Sequence, residues 1–328
     1  MAGKSETRVD CQPQYADVLE AAERIGAHVH RTPVMRCHTL DRMTGATLFL
    51  KAENLQRTGS FKFRGACNAV GLLSHDERRC GVVTHSSGNH AAALARAAQM
   101  YGAAAHIVMP EGSNPAKSAA VGGYGGKITW CDNSDAARRN TANRIKCDSG
   151  ATFIHPYNDW RIIAGQGTCA LELLDEVKNL DLIMAPVGGG GLLAGTCVVC
   201  GHAGGRPVVI GAEPELADDT YRSVQTGTLQ PQCPPLTVAD GLRTGLGPLN
   251  FAIIRHHVQQ IVLAGEQEIL EAMRLIWERA KLVIEPSAAV VVAAALGDRI
   301  DLAGRRVGMI LSGGNVELCR NRMCHYWQ

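Results

Sequence analysis

The chain is predicted to fold as an α/β protein with mainly parallel sheets, and three features of its 328 residues carry that prediction. Short apolar runs alternate with segments of helical period, the pattern that right-handed βαβ crossovers impose. Where several of these runs hand over to a helix, the junction is rich in glycine and small polar residues, as the ligand-facing loops of parallel sheets are. The length, against a soft prior of about 150 residues per domain, allows roughly two domains with large cores.

In chain order the strand-like runs are GVVTHS (81–86), AAHIVMP (104–110), KITWC (127–131), ATFIHP (151–156), DLIMAPV (181–187), PVVIGAE (207–213) and RVGMILSG (306–313). They are short and apolar, and most contain β-branched residues. Between them HAAALARAAQMYG (90–102), DAARRNTANRIK (135–146), IAGQGTCALELLDEV (163–177) and EQEILEAMRLIWERAK (266–281) repeat their apolar residues at helical spacing. No internal repeat or low-complexity tract interrupts the alternation.

Composition narrows the partners. With 33 basic and 31 acidic side chains and a formal net charge of +2, no basic face argues for nucleic acid or an anionic membrane. Apolar residues at 46% and charged ones at 20% describe an ordinary globular protein acting on small polar molecules. The N-terminal MAGKSETRVDCQPQ lacks an apolar signal core, and no stretch approaches the ~20 apolar residues of a membrane span, so a cytoplasmic location is expected. Twelve cysteines, from Cys11 to Cys324, follow no framework spacing and are expected to be reduced and mostly buried. Cys197 and Cys200 with His202 are followed by no second ligand pair, so zinc is not expected there.

The junctions carry the chemistry. Gly188, Gly189, Gly190 and Gly191 follow an apolar run and lead into a helical pattern. Consecutive glycines let backbone N–H groups close around an anion at a helix N-terminus, which points to a phosphate. The loop is neither a Walker loop nor a spaced dinucleotide fingerprint, and a flexible tight connection is the plain alternative. THSSGNH (84–90) sets Ser86, Ser87, Asn89 and His90 at another strand end, where they could equally be helix caps, and LSGGN (311–315) adds Ser312. In GSFKFRG (59–65), Lys62 stands between Phe61 and Phe63. Burying an ammonium among aromatics lowers its pKa from ~10.4, one route to a nucleophilic amine, whereas a surface lysine beside core phenylalanines is the plain reading.

Taken together and in this order, SFKFRG, SSGNH, GGGG and SGGN resemble the fold-type II pyridoxal-phosphate enzymes. From HRTPV (30–34) to SGGNVEL (312–318) the chain is similar to the serine racemase and serine/threonine dehydratase family, with KAENLQRTGSFKFRGA, IAGQGT, ADGLR and IEPSAA as further matches. The resemblance implies two open, twisted sheets flanked by helices. It also implies a large cofactor domain (residues 1–74 and 157–328), a small domain (75–156), the cofactor in the cleft and a homodimer. Lys62 is implied to hold pyridoxal 5'-phosphate as a Schiff base and to serve as a base. Gly188, Gly189, Gly190, Gly191 and Leu192 would bind the phosphate, Phe61 would pack against the ring, Asn89 would bond the ring hydroxyl and Ser312 would face the pyridine nitrogen.

Ser87 matches the family position of the opposite-face proton donor of racemases, where dedicated threonine dehydratases commonly carry alanine. The implied activity is therefore racemisation of serine, with β-elimination of serine and threonine to a keto acid and ammonia alongside it. Ser86, Ser87, Asn89 and His90, with Arg138 and Thr244, would contact the substrate carboxylate. Glu213 and Asp219, with the Ala217 carbonyl and water, would hold Mg²⁺, or else Ca²⁺ or Mn²⁺, and a solvated acidic loop is the alternative. The chain also departs from the animal racemases. Arg139 stands where they carry an acid, Ala91 and Ala92 replace their usual Gly/Ala-Gln, whose glutamine helps form their nucleotide-activation site, and Tyr157 follows the dehydratase pattern. Dedicated serine/threonine or 3-hydroxyaspartate dehydratases are the competing readings. A nucleotide-binding oxidoreductase would have no use for Lys62, even though Glu213 lies near the spacing of its ribose-binding acid. A non-catalytic binding protein would not need both Lys62 and the glycine loop.

Overall fold

A computed structural model describes residues 12–113, 115–204 and 206–317. Cys11, Leu318 and Cys324, and both ends of the expected larger domain, lie outside the described residues.

The chain begins with α1 (Tyr15–Ile25), β1 (Val34–Met35), α2 (His38–Thr44), β2 (Thr47–Ala52), α3 (Lys62–Gly71) and α4 (His75–Cys80). It continues through β3 (Val82–His85), α5 (Asn89–Met100), β4 (Ala105–Pro110), α6 (Pro115–Gly123), β5 (Lys127–Cys131), α7 (Asp135–Ser149) and β6 (Thr152–Phe153). The last stretch holds α8 (Trp160–Glu176), β7 (Leu182–Pro186), α9 (Gly191–His202), β8 (Val208–Pro214), α10 (Asp219–Thr226) and α11 (Pro248–His257). It closes with β9 (Val258–Ala264), α12 (Glu266–Leu275), α13 (Pro286–Leu296) and β10 (Arg306–Leu311).

Six strands form one sheet in the order β1-β2-β10-β7-β8-β9, parallel except where β1 meets β2. Four form a second, wholly parallel sheet in the order β5-β4-β3-β6. The α/β fold with two mainly parallel sheets is therefore present. One run is shorter than its pattern: ATFIHP pairs only through Thr152 and Phe153. Beyond them the His155 ring accepts backbone N–H bonds from Tyr157 (3.2 Å) and Asn158 (2.9 Å) and turns the chain out of the sheet.

Both faces of the larger sheet are covered. Leu182 and Met184 of β7 join Val307, Met309 and Leu311 of β10 in a core under α12 and α13, while Ile183 and Ala185 face α8, α9 and α11. This two-sided burial is why the strands read as unbroken apolar runs rather than alternating ones. In the smaller sheet Val82, Ile107 and Met109 pack with α3 and α5, and Val83 and Val108 pack with Ala142 of α7.

Helix α8 touches both α3 and α9 at glycine pairs. A Cβ on Gly165 would lie 2.6 Å from the Gly65 Cα, and one on Gly195 would lie 2.6 Å from the Gly167 nitrogen. Beside these contacts lies a buried ionic cluster. Arg64 donates to Glu53 Oε2 (2.8 Å) and Glu172 Oε1 (2.7 Å), and Lys51 Nζ donates to Glu172 Oε2 (2.7 Å) and the Thr32 carbonyl (2.7 Å). Burial alone would raise the Glu53 pKa, but the Arg64 charge and hydrogen bonds hold it below the ordinary value.

All described cysteines are free thiols. Cys197 and Cys200 are buried in the core, and His202 stacks on Tyr15 with ring centroids 3.9 Å apart. Among the described residues no helix is long and apolar enough to cross a membrane.

Removing one partner of a buried ion pair leaves the other charge uncompensated, at a cost of about 3–5 kcal/mol. Arg64→Ala is expected to destabilise the protein by that amount in a denaturant titration. A loss below about 1 kcal/mol, the scale of an exposed pair, would contradict the buried cluster.

Candidate active site

The loops singled out in the sequence all lie at carboxyl ends of parallel strands. Ser86, Ser87 and Asn89 follow β3, residues 188–191 follow β7, and Ser312 follows β10. Lys62 opens α3, and the segment before it is tied to the β10 loop. Ser60 bridges Gly313 in antiparallel fashion, and the Phe61 N–H donates to the Ser312 carbonyl at 3.0 Å.

The Lys62 ammonium donates to the Pro156 carbonyl (3.0 Å) and lies 5.2 Å from the Phe61 ring centroid and 5.9 Å from that of Tyr157. Burial lowers its pKa to about 8, against the opposing pull of the negative Glu285. The sequence expectation of an amine perturbed by an aromatic setting holds, though Tyr157 rather than Phe63 is the second ring. Phe63 points into the core. Nearby histidines are kept neutral. Burial, then His85, lowers His155 to about 4, and burial, then Lys62, drives His90 well below its ordinary pKa.

The glycine loop is buried, and three of its residues have no room for a side chain. A Cβ would lie 2.9 Å from the Leu242 Cα at Gly188, 2.4 Å from the Tyr157 ring at Gly189 and 2.6 Å from Leu246 at Gly190. Gly190 is also left-handed, with φ of 92°, and forms the N-cap of α9. The loop therefore presents backbone rather than side chains, and the free N–H groups of the first α9 turn follow directly. The exposed Thr244 hydroxyl accepts the Gly189 N–H at 3.0 Å, so it stands against this loop.

Asn89 is engaged at both ends of its amide. It donates to Glu285 Oε1 (2.7 Å) and accepts from Asn315 Nδ2 (3.0 Å). Arg138 is partly buried and pairs with Asp135 at 2.6 Å. Ser86 and Ser87 are half-buried at the end of β3, and His90 is buried one residue into α5.

A family model described as pyridoxal-phosphate dependent enzyme matches residues 25–313. The chain belongs to the pyridoxal-phosphate dependent enzymes. It is 47% identical over 306 residues to the β-hydroxyaspartate dehydratase of Paracoccus denitrificans, covering 93% of this chain and 97% of that one. It is 45% identical over 308 residues to the serine racemase of Dictyostelium discoideum, covering 92% and 94%. The crystal structure of that racemase superposes with a TM-score of 0.90 at 44% identity, covering 94% of this chain and 100% of the other.

The residues of this pyridoxal-phosphate dependent enzyme fit the cofactor of its family. A lysine with a burial-lowered pKa stands on the Tyr157 ring, as does Gly189 of a loop whose glycines leave backbone N–H groups for a phosphate. The expected cation ligands stand where β8 runs into α10, linked to the glycine loop through Leu246, which packs against Gly190. Glu213 accepts the N–H groups of Thr220 (3.0 Å) and Tyr221 (2.7 Å), and Asp219 Oδ2 accepts that of Leu246 (2.7 Å). Asp219 Oδ1 has no hydrogen-bond partner. Burial raises both carboxyls, Glu213 to about 8. Two buried carboxylates with an unpartnered oxygen suit a hard cation, with Ala217 closing the turn between them. Among the described residues no group of three or more His, Cys, Asp or Glu could hold a metal, so carbonyl and water would have to complete such a shell.

Two site residues received no role from the sequence. Glu285 stands inside the quoted IEPSAA, but an acid before a helix-opening proline reads as a cap, and only the fold shows its carboxylate turned toward Asn89. His155 sits in a strand-like run, and its ring contacts across β3 and Tyr157 depend on tertiary structure.

A pKa of about 8 leaves roughly a tenth of Lys62 neutral at pH 7, against under about a thousandth for an ordinary lysine. The rate at which Lys62 captures added pyridoxal 5'-phosphate, followed by absorbance and by borohydride fixation with peptide mapping, is expected to rise with pH and level off above about 8. A rise that continues past pH 10 would show an unperturbed amine.

Proposed function

We propose that this enzyme is a serine racemase that also eliminates the β-hydroxyl of serine and threonine. The observation that carries the reading is Ser87, a hydroxyl at the end of β3 in a chain whose Lys62 supplies the amine. The serine racemase relatives support it. In this reading the protein is a cytoplasmic homodimer, divided into residues 1–74 with 157–328 and an inserted 75–156.

Lys62 would hold pyridoxal phosphate, with residues 188–192 on the phosphate, Phe61 on the ring face, and Asn89 and Ser312 at the ring edge. When bound, this cofactor spreads over its conjugated ring the negative charge left when an amino acid loses its α-proton. Lys62 removes or returns that proton on its own face. Ser87 serves the opposite face, because a single base returning its proton to the side it came from restores the original hand. If the β-hydroxyl departs instead, serine ends as pyruvate and ammonia. Ser86, Asn89 and His90 hold the substrate carboxylate beside Ser87, with Arg138 and Thr244 closing on it. Glu213, Asp219 and the Ala217 carbonyl hold a divalent cation, Mg²⁺ foremost, that steadies the β8–α10 turn.

A second reading, elimination from 3-hydroxyaspartate, is favoured by the charge of the smaller sheet's loop wall. Both Arg138 and Arg139 act electrostatically on His85 at the end of β3, and Asp135 offsets only part of their charge. A second substrate carboxylate would be welcome there.

Incubation with L-serine, following D-serine and pyruvate together, tests the main reading. Ser87→Ala is expected to lower D-serine formation by at least about two orders of magnitude while pyruvate formation largely survives. Equal loss of both products would move Ser87 to carboxylate binding. An unmodified protein that makes no D-serine but turns over 3-hydroxyaspartate faster than serine would replace the main reading with the second.

The cation has its own test. A ligand held only by the folded state stabilises it by mass action, so chelation should lower the melting temperature and added Mg²⁺ should restore it. Glu213→Gln with Asp219→Asn should abolish that response. Identical melting curves with chelator and with Mg²⁺ would remove the site.

A further inference from the structure

The side chain of Glu285 is aimed where its backbone position gives no reason to send it. Glu285 is the N-cap residue of α13, yet it makes no side-chain cap, and Pro286 in the first turn removes one donor that a cap would serve. Only 3% of its surface is exposed. Its N–H is spent on the Gly313 carbonyl (3.0 Å), and its carboxylate passes Gly313 so closely that a Cβ there would lie 2.6 Å from Oε1. Gly313 is therefore the gap through which the carboxylate reaches the SSGNH loop, where Oε1 accepts from Asn89 Nδ2 at 2.7 Å.

The other end of the same amide is also held. Asn315 Nδ2 donates to Asn89 Oδ1 (3.0 Å) and to the Thr58 carbonyl (2.7 Å), which anchors it to the loop leading to Lys62. An asparagine amide carries one carbonyl and two N–H groups. With the carbonyl and one N–H committed, a single N–H of Asn89 remains, and the residue lines a cavity of about 400 Å³ together with Thr58, Gly59 and Asn315.

We propose that Glu285 is a positioning residue that, with Asn315, dictates which end of the Asn89 amide faces the cofactor and so sets the hydrogen bond Asn89 can give it. Reversing the amide would set its carbonyl against the Glu285 carboxylate and its N–H₂ against the Asn315 donor, so both partners reject the flipped state. Burial, then the negative Asp240, raises Glu285 to about 7, and Lys117, which pairs with Asp240, opposes this. Protonation would leave Glu285 able to accept from Asn89 through one oxygen, so the acceptor rather than the charge carries the role.

The inference rests on the reading that Asn89 contacts the cofactor ring, and one experiment separates the two. Pyridoxal 5'-phosphate is titrated into cofactor-free wild-type protein and into Asn89→Ala, Glu285→Ala, Glu285→Gln and the Asn89→Ala/Glu285→Ala double variant. The dissociation constant and the absorption maximum are read, with melting curves of the cofactor-free proteins as the folding control. Asn89→Ala is expected to weaken binding about tenfold and shift the band, as losing one buried hydrogen bond would. Glu285→Ala should reproduce both changes, the double variant should add nothing, and Glu285→Gln, which keeps the acceptor, should stay within about threefold of wild type. If Asn89→Ala changes neither quantity, the Asn89 reading fails and the inference falls with it. If Asn89→Ala acts but Glu285→Ala does not, or if the two effects add, Glu285 does not act through Asn89 and only the inference is overturned. If Glu285→Ala does not fold, Glu285→Gln decides, because a tenfold loss there would assign the role to charge and overturn it as well.

Discussion

The close approach of three helices governs where the chemistry can happen. Helix α8 meets α3 at Gly65 and Gly165 and meets α9 at Gly167 and Gly195, at distances that no Cβ permits. Lys62 is the first residue of α3, and the glycine loop runs into the first turn of α9. The backbone contacts of α8 therefore set the amine and the glycine loop relative to each other, and both inherit the precision of close-packed helices rather than the latitude of loops. The IAGQGT segment is in this sense a distance ruler.

Charge is handled in two ways inside the same molecule. Around Arg64, the buried Lys51, Glu53 and Arg64 and the partly buried Glu172 hold one another with hydrogen bonds. That arrangement specifies packing. In the cleft and at the β8–α10 turn the compensation is incomplete. Lys62 falls to about 8 while Glu285 and Glu213 climb to about 7 and 8, because burial is not matched by a saturating partner. Perturbed groups that cluster at strand ends are the mark of a site, whereas saturated ones are the mark of a core.

Much of this was legible in the residues. Every strand-like run read from the pattern corresponds to a strand; in β7, β8 and β10 burial on both faces of a parallel sheet writes itself as an apolar stretch, while β5 and β6 are partly exposed edges. Of the strands that escaped notice, β1 is only two residues long, and β2 and β9 have polar residues inside them. β9 carries Gln259 and Gln260, and β2 carries Lys51, whose buried charge makes sense only beside Glu172, far away in sequence. At the site, the glycines at 188–191 were legible as an unbroken run after an apolar strand, although the residues that exclude a side chain at three of them, Leu242, Tyr157 and Leu246, are distant in sequence. Glu285 was not, because its partner Asn89 lies across the cleft and no local signal links a helix-opening acid to a distant amide.

The two sheets contribute different things to one cleft. The larger carries the glycine loop, Ser312 and Glu285, and the smaller carries the serines at 86 and 87 and the arginines at 138 and 139. Relatives bearing the names of a racemase and of a dehydratase share this scaffold over nearly its whole length. In the proposed reading, lineages exchange one specificity for another by mutating the edge of the smaller sheet alone. The glycine loop and Ser312 on the larger sheet would pass unchanged from ancestor to descendant, which makes new activities in such a scaffold a matter of few genetic steps.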